Sequence, residues 1–350
     1  MNRLLAFTRP LMLTHGGPIR PYYLLKEIAN LNIDVTTIEN EGISRCSLRN
    51  ILRCIQFMLT KSNQSDVFMD GLGQVTWLKF LKMFKLPITV DFADNYLLQC
   101  RDLGSFLNEK TKKNMEKGIM QLFDSATTIL FPSLTLSKYH SKDHNAKCVV
   151  VMNASDPAHF RSGPLPERLK IGLITGLAQG RGIELFLESL KILKKDFDNL
   201  SAEICFKITS DDGEAHVSML EKKYGSKFIR FRSDITYKTA PYFFKECYLT
   251  VIPHLKSFYM DAATPIKLFD SMASGRPVVV TNCYEMAKIV KEENCGLICD
   301  LTPEDMAMKI SKLLENRNYA TILKGNGRNA IEKRHSWRIR AQTIVNSLAK

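Results

Sequence analysis

Leu169-Lys170-Ile171-Gly172-Leu173-Ile174-Thr175-Gly176-Leu177-Ala178-Gln179-Gly180-Arg181-Gly182-Ile183 is the stretch on which the reading of the fold turns. An apolar run from Leu169 to Thr175 enters a glycine-rich turn, and the turn enters a helix. Ile183, Phe186, Leu187, Leu190 and Leu193 recur at helical spacing on one face of that helix, while Glu184, Glu188 and Lys191 face outward. Strand, glycine turn and amphipathic helix in this order open a βαβ unit. Strands expected at Ala202–Ile208, Tyr248–Ile252 and Pro277–Val280 continue the alternation downstream.

The same alternation runs upstream. A strand at Leu4–Phe7 is followed by the turn His15-Gly16-Gly17-Pro18 and a helix from near Pro21 that carries Leu24, Leu25, Ile28 and Leu31. Further strands are expected at Ile33–Ile38, Ile88–Phe92, Thr127–Phe131 and Val149–Met152. Phe160-Arg161-Ser162-Gly163-Pro164-Leu165-Pro166 then has the composition of a linker. The expectation is an α/β chain of two doubly wound domains in tandem, 1–163 and 164–333, with a terminal segment 334–350.

Composition agrees with that class. The chain of 350 residues is 45% hydrophobic and 24% charged, as soluble globular proteins are. No apolar run approaches the roughly 20 residues needed to span a bilayer. Arg9, Pro10 and His15 interrupt the apolar core a signal peptide would need, so Met1–Phe7 reads as a buried strand. Nine cysteines, scattered from Cys46 to Cys299, fit a reducing cytoplasm better than a disulfide framework. A net charge of +13 asks for an acidic partner: nucleic acid, an anionic membrane surface or phosphorylated small molecules. The excess is spread over both halves, and no helix-turn-helix, zinc finger or aromatic RNA-binding pattern occurs, which sets nucleic acid aside. His140 and His144 have a metal-ligand spacing, but no third ligand is near in sequence, and a solvated helix face is the expectation.

Three segments read as anion sites. In Asp261-Ala262-Ala263-Thr264-Pro265-Ile266-Lys267-Leu268-Phe269-Asp270, Thr264 is expected to cap a helix with Pro265 at its first position. Lys267 in the first turn opposes the helix dipole, a conflict that a phosphate at the helix N-terminus relieves. Asp270 shares its face and is placed to accept hydrogen bonds from a ribose. An ordinary solvated helix start with a Lys267–Asp270 surface pair fits the same residues. The turn Thr175–Gly182 offers Gly176 for close backbone approach and Arg181 for a bidentate phosphate contact, although it completes neither a Walker nor a dinucleotide fingerprint. Gly16 and Gly17, after the first strand, occupy the carboxyl edge where open α/β sheets bind ligands.

Val150-Val151-Met152-Asn153-Ala154-Ser155-Asp156 through Phe160, Thr175–Gly182, Lys267–Pro277, Cys295-Gly296-Leu297-Ile298, Gly325-Asn326-Gly327-Arg328 and His335-Ser336-Trp337 come in the order and spacing of a known family. The chain resembles the family 4 retaining glycosyltransferases of GT-B architecture, two Rossmann-like domains facing a central cleft. That resemblance implies an acceptor-binding first domain, a sugar-nucleotide-binding second domain and a last helix, Trp337–Leu348, that returns to the first. It implies that Arg181 binds the donor diphosphate, Asp270 the ribose, and Gly17 the phosphates and sugar. The family's first motif glutamate falls at Ala262, with Asp261 beside it; its loop arginine falls at Leu177; its first-domain histidine has no match in Thr89–Asp94.

The resemblance implies glycosyl transfer from a nucleoside diphosphate sugar to a glycan or lipid-linked acceptor in cell-surface polysaccharide synthesis. Arg181, Lys267 and the helix start at Thr264 would stabilise the leaving diphosphate, with no metal or other cofactor required. Asp261, Asp94 or Asp91 would orient sugar or acceptor. A catalytically silent partner subunit and a sugar-nucleotide epimerase share the architecture. Arg45, Arg49 and Arg53 beside Leu48, Ile51, Leu52 and Ile55, and the run Trp77–Lys85, suit docking on the inner face of an anionic membrane. Buried helices with solvated basic faces read the same way.

Overall fold

The computed structural model describes residues 1–11, 16–39, 47–60, 65–104, 106–178, 180–207 and 211–348. His15, Arg45, Cys46 and Gln179, singled out in the sequence, lie outside the described residues. The chain divides into two compact units. One comprises Met1–Arg101, Phe106–Asn153 and Trp337–Lys350; the other comprises Asp102–Ser105 and Ala154–Ser336. The long run of the second unit starts at Ala154, so segment 154–163 falls in it rather than in the first.

The first unit is built on β1 (Arg3–Thr8), β2 (Asp34–Glu39), β3 (Ser65–Met69), β4 (Ile88–Asp91), β5 (Thr128–Phe131) and β6 (Lys147–Val150). All pairings are parallel, in the order β2-β1-β3-β4-β5-β6. β3 is a strand the sequence reading did not contain. Its head, Ser65-Asp66, is polar, yet all five residues are buried between β1 and β4. The last helix, Trp337–Leu348, packs within this unit: Trp337 stacks on Tyr23 at 5.9 Å, and Arg340 Nε donates to the Met152 carbonyl at 3.1 Å.

The second unit is built on β7 (Lys170–Gly176), β8 (Ser201–Lys207), β9 (Ile229–Arg232), β10 (Leu249–Ile252), β11 (Val278–Thr281) and β12 (Gly296–Cys299), again all parallel, in the order β12-β11-β10-β7-β8-β9. Its core joins Ile171, Leu173, Leu249 and Val251 of the sheet to Phe186, Leu187 and Leu190 of the helix Ile183–Leu193. β9 was also unread. It is an edge strand whose Arg230 and Arg232 break the apolar pattern, and Arg232 instead pairs with Glu203 and Asp234. No helix among the described residues is long and apolar enough to cross a membrane.

Candidate functional site

In an open parallel sheet, ligands bind outside the carboxyl ends of the strands where the strand order reverses. In the second unit that reversal lies between β7 and β10, so the loop after Gly176 and the segment Pro253-His254 after Ile252 lie side by side. The loop is held there by glycine. Gly182 has φ +67°, and a Cβ on it would stand 1.6 Å from the Pro253 carbonyl oxygen. Arg181, between Gly180 and Gly182, thereby reaches His254, with Nη1 3.4 Å from Nε2.

Lys267 enters from the helix Ile266–Ala273, and its Nζ donates to the Ile174 carbonyl of β7 at 2.9 Å. The helix starts one residue later than Thr264 and Pro265 predict. Pro265, with ψ 133°, is still extended and stands as the N-cap, and no side chain caps the helix. Thr264 is buried just ahead of it. The Lys267–Asp270 pair does not form: Lys267 turns to β7, and Asp270 Oδ1 accepts the Ser155 hydroxyl at 2.6 Å.

Arg181, His254 and Lys267 thus crowd together. Among the described residues neither Arg181 nor Lys267 is in an ion pair, and Arg181 Nε and His254 Nδ1 are buried with no hydrogen-bond partner. An arginine N–H only donates, so His254 Nε2 accepts and its hydrogen sits on Nδ1. Burial, then the charges of Lys267 and Arg181, hold the imidazole well below its ordinary range. Burial, then Arg181, do the same to Lys267. Half-buried cations without a counter-ion among the described residues, beside buried orphaned donors, are costly, and the ligand that removes the cost is an anion. Asp270, beyond Lys267 on the same helix, is buried; burial pushes its carboxyl well above the usual range, opposed by Ser155 and reinforced by Asp156.

Asp261 is turned elsewhere. Its Oδ1 accepts the Tyr284 N–H at 2.8 Å, at the start of the helix Tyr284–Glu293, while Ala262 is buried.

In the first unit the strand order reverses between β1 and β3. Arg9 follows β1 and Asp70 follows β3, and the two form a bidentate pair, Nε–Oδ2 2.6 Å and Nη2–Oδ1 3.2 Å. Gly16 and Gly17 open the helix Gly16–Ala29, and a Cβ on Gly17 would lie 3.2 Å from Arg9 Nη1. Asp91, at the end of β4, is fully buried and receives Arg20 Nε at 2.9 Å and Nη2 at 2.8 Å. Asp94 is exposed and lies close enough to Arg9 to stabilise its charge. The structure therefore groups Gly176, Arg181, Thr264, Lys267 and Asp270 at one sheet edge and Gly16, Gly17, Asp91 and Asp94 at the other.

Arg9, Asp70, Arg20, Ser155 and His254 are not site residues on the sequence reading. A histidine two residues past a fully buried strand was the signal for His254. The solvated helix face expected at His140 and His144 is not formed: the helix ends at Tyr139, and His140 is buried, with Nδ1 2.7 Å from Asp143 Oδ2 and Nε2 2.9 Å from Asn95 Nδ2; among the described residues no three potential metal ligands meet.

Residues 168–316 match the family model described as Glycosyl transferases group 1. No curated protein matches the chain by sequence. Among solved structures, sucrose-phosphate synthase from Thermosynechococcus elongatus superposes with a TM-score of 0.75 at 12% identity, over 100% of this chain and 98% of that one. Anabaena HepE in complex with UDP-glucose gives 0.73 at 11% identity, over 99% of both chains. WaaG, a glycosyltransferase involved in lipopolysaccharide biosynthesis, gives 0.65 at 12% identity, over 97% of this chain and 98% of that one. At such identities the likeness is one of fold. The match to the group 1 glycosyltransferase model falls within the second unit, and the two Rossmann-like units have the fold of these structures, the GT-B architecture.

Proposed function

We propose that this protein transfers a sugar, with retention of configuration, from a uridine diphosphate sugar to a glycan or lipid-linked acceptor. The observation that carries the reading is the cluster at the strand-order reversal of the second sheet, in which half-buried Arg181 and Lys267 flank buried His254, with orphaned donors and no counter-ion among the described residues. HepE with bound UDP-glucose, which shares the fold, supports uridine as the base. WaaG supports a cell-surface glycan as the acceptor class.

In the reaction the bond between the anomeric carbon and the diphosphate oxygen breaks, and negative charge grows on the leaving phosphate. Arg181 and Lys267 face that charge from fixed, half-buried positions, and cations already in place need no reorganisation as the charge develops. They take the part a divalent metal plays in other transferases, so the reading needs no metal. The acceptor hydroxyl attacks from the face the diphosphate leaves, and its proton passes to the leaving phosphate. Asp270 accepts the ribose hydroxyls. Arg9, steadied by Asp70 beside Gly17, offers a further cation to an anionic acceptor. On the first unit, Arg49 and Arg53 beside exposed Ile51, Leu52, Ile55 and Leu59 suit a membrane-borne acceptor.

The test is a thermal-shift and calorimetric screen of uridine, guanosine, adenosine and thymidine diphosphates and their glucose esters. Stabilisation by the uridine compounds, weakened by Lys267→Ala and Asp270→Ala, is expected. Absence of binding, or binding indifferent to both substitutions, overturns the reading. A silent partner subunit is the second reading, favoured by Ala262 at the motif glutamate and by Asp261 held on Tyr284. It predicts nucleotide binding with no release of UDP from UDP-glucose in the presence of acceptor.

A further inference from the structure

We propose that His254 is a third ligand of the donor diphosphate and that it takes up a proton when the diphosphate binds. This rests on the donor-site reading above and adds to it a residue and a proton.

The geometry leaves His254 little else to do. The ring is 1% exposed, and only its backbone carbonyl serves the fold, accepting Thr281 Oγ1 at 2.5 Å and Cys283 Sγ at 3.4 Å. Its Nε2 is against Arg181, and its Nδ1–H is buried with no partner. The charged groups that bear on it are Arg181, from the loop before the helix Ile183–Leu193, and Lys267, from the helix Ile266–Ala273. Asp261, on the neighbouring helix Phe258–Ala262, is committed to the Tyr284 N–H. A lone imidazole packed against two cations stays neutral.

A diphosphate in the cluster reverses that balance. Its oxygens give Nδ1–H an acceptor, draw the Arg181 guanidinium off Nε2 onto the phosphate and neutralise the field of Arg181 and Lys267, so Nε2 is freed to take the proton and the protonated ring becomes the favoured form. The proton comes from solvent and no covalent bond changes. A sugar nucleotide's diphosphate stays fully ionised from about pH 6 to about pH 9, so any proton taken up goes to the protein. By linkage, affinity is greatest on the acid side of neutrality. It falls by up to about tenfold per pH unit between the free and bound pKa values.

The experiment is titration calorimetry with UDP-glucose in two buffers of different ionisation enthalpy, at several pH values, on the wild-type protein and on His254→Asn. If the screen selects another base, the corresponding glucose nucleotide replaces UDP-glucose. Asparagine keeps a neutral N–H donor near the Nδ1 position and cannot take up the proton. Net proton uptake by the wild type, lost in His254→Asn together with the pH dependence of affinity, is expected. Binding of UDP-glucose with no proton uptake by the wild type overturns the proposal while leaving the donor site standing. Uptake that survives unchanged in His254→Asn overturns it in favour of Lys267. If no nucleotide binds, the donor-site reading fails and takes this one with it. If His254→Asn does not fold, the His254 ring resonance of the wild type decides, shifting to its protonated position on nucleotide addition or staying put.

Discussion

Ser155 donates its hydroxyl to Asp270 Oδ1 at 2.6 Å, and both residues are buried in the second unit. Ser155 comes from the segment after β6, Asp270 from the middle of the helix Ile266–Ala273, and among the described residues no cation pairs with the carboxylate. Burial therefore dominates, and the carboxyl sits well above its ordinary range. A raised carboxyl contributes stability below the unfolded pKa, and that stability is lost as pH rises through the folded value. Asp270→Asn keeps an acceptor for Ser155 and never ionises. In the absence of nucleotide it should be more stable than wild type at neutral pH. The gain is on the order of 1 kcal/mol for each pH unit between the two pKa values, and it vanishes near pH 4. Urea denaturation across that range measures it. The same variant should bind UDP at least about tenfold more weakly, having lost a charge-assisted ribose contact. Lower stability than wild type at neutral pH would refute the ionisation argument.

Gly182 and Gly176 bound the same loop and should behave oppositely. At Gly182 the backbone is left-handed and a Cβ would overlap the Pro253 carbonyl. Gly182→Ala is expected to cost more than about 3 kcal/mol. At Gly176 nothing lies within 4 Å of a Cβ, so Gly176→Ala should fold normally. Thermal melts of the two variants compare them directly. If Gly176→Ala then binds UDP more weakly, its glycine serves the ligand rather than the chain.

The alternation of β-branched strands with amphipathic helices made the two parallel sheets legible, because burial on both faces of a parallel sheet leaves a plain apolar signature. β3 escaped because Ser65-Asp66 opens it, and β9 because two arginines interrupt an edge strand. The site was legible only in part. Glycine, lysine and arginine beside helix starts carry a local signal, so Arg181, Lys267 and Gly17 could be read directly. Arg9–Asp70, Arg20–Asp91 and Ser155–Asp270 join residues 61, 71 and 115 positions apart, and only the sheet order brings them together.

Asp91 shows why such pairing matters for reading mutants. It accepts three hydrogen bonds from Arg20 with both side chains almost wholly buried. Removing one member strands the other charge, and Asp91→Ala should cost about 3–5 kcal/mol. Replacing both, Arg20→Met with Asp91→Leu, should cost much less than the two single changes together. A double-mutant cycle by chemical denaturation checks this. An Asp91→Ala variant that stays as stable as wild type yet loses turnover would instead give Asp91 a role in the reaction.

The helix Leu48–Leu59 makes the last prediction. Ile51, Leu52, Ile55 and Leu59 are 37%, 57%, 39% and 81% exposed, and they recur on one stripe of the helix. Cys54, Phe57 and Met58 hold the opposite face in the core. Exposed Arg49 and Arg53 flank the stripe. Large apolar residues left in water beside arginines gain by entering the headgroup boundary of an anionic bilayer. The protein should sediment with vesicles containing phosphatidylglycerol and release as salt rises past a few tenths molar, where charges are screened within about a nanometre. Leu52→Ser with Leu59→Ser removes exposed side chains and should leave thermal stability within about 0.5 kcal/mol of wild type. Vesicle binding should fall by at least about tenfold, since each leucine that inserts fully contributes roughly 1.5–3 kcal/mol of burial. Equal sedimentation of the double variant, or none by the wild type at low salt, would take this helix out of any membrane contact and leave its apolar stripe to a protein partner.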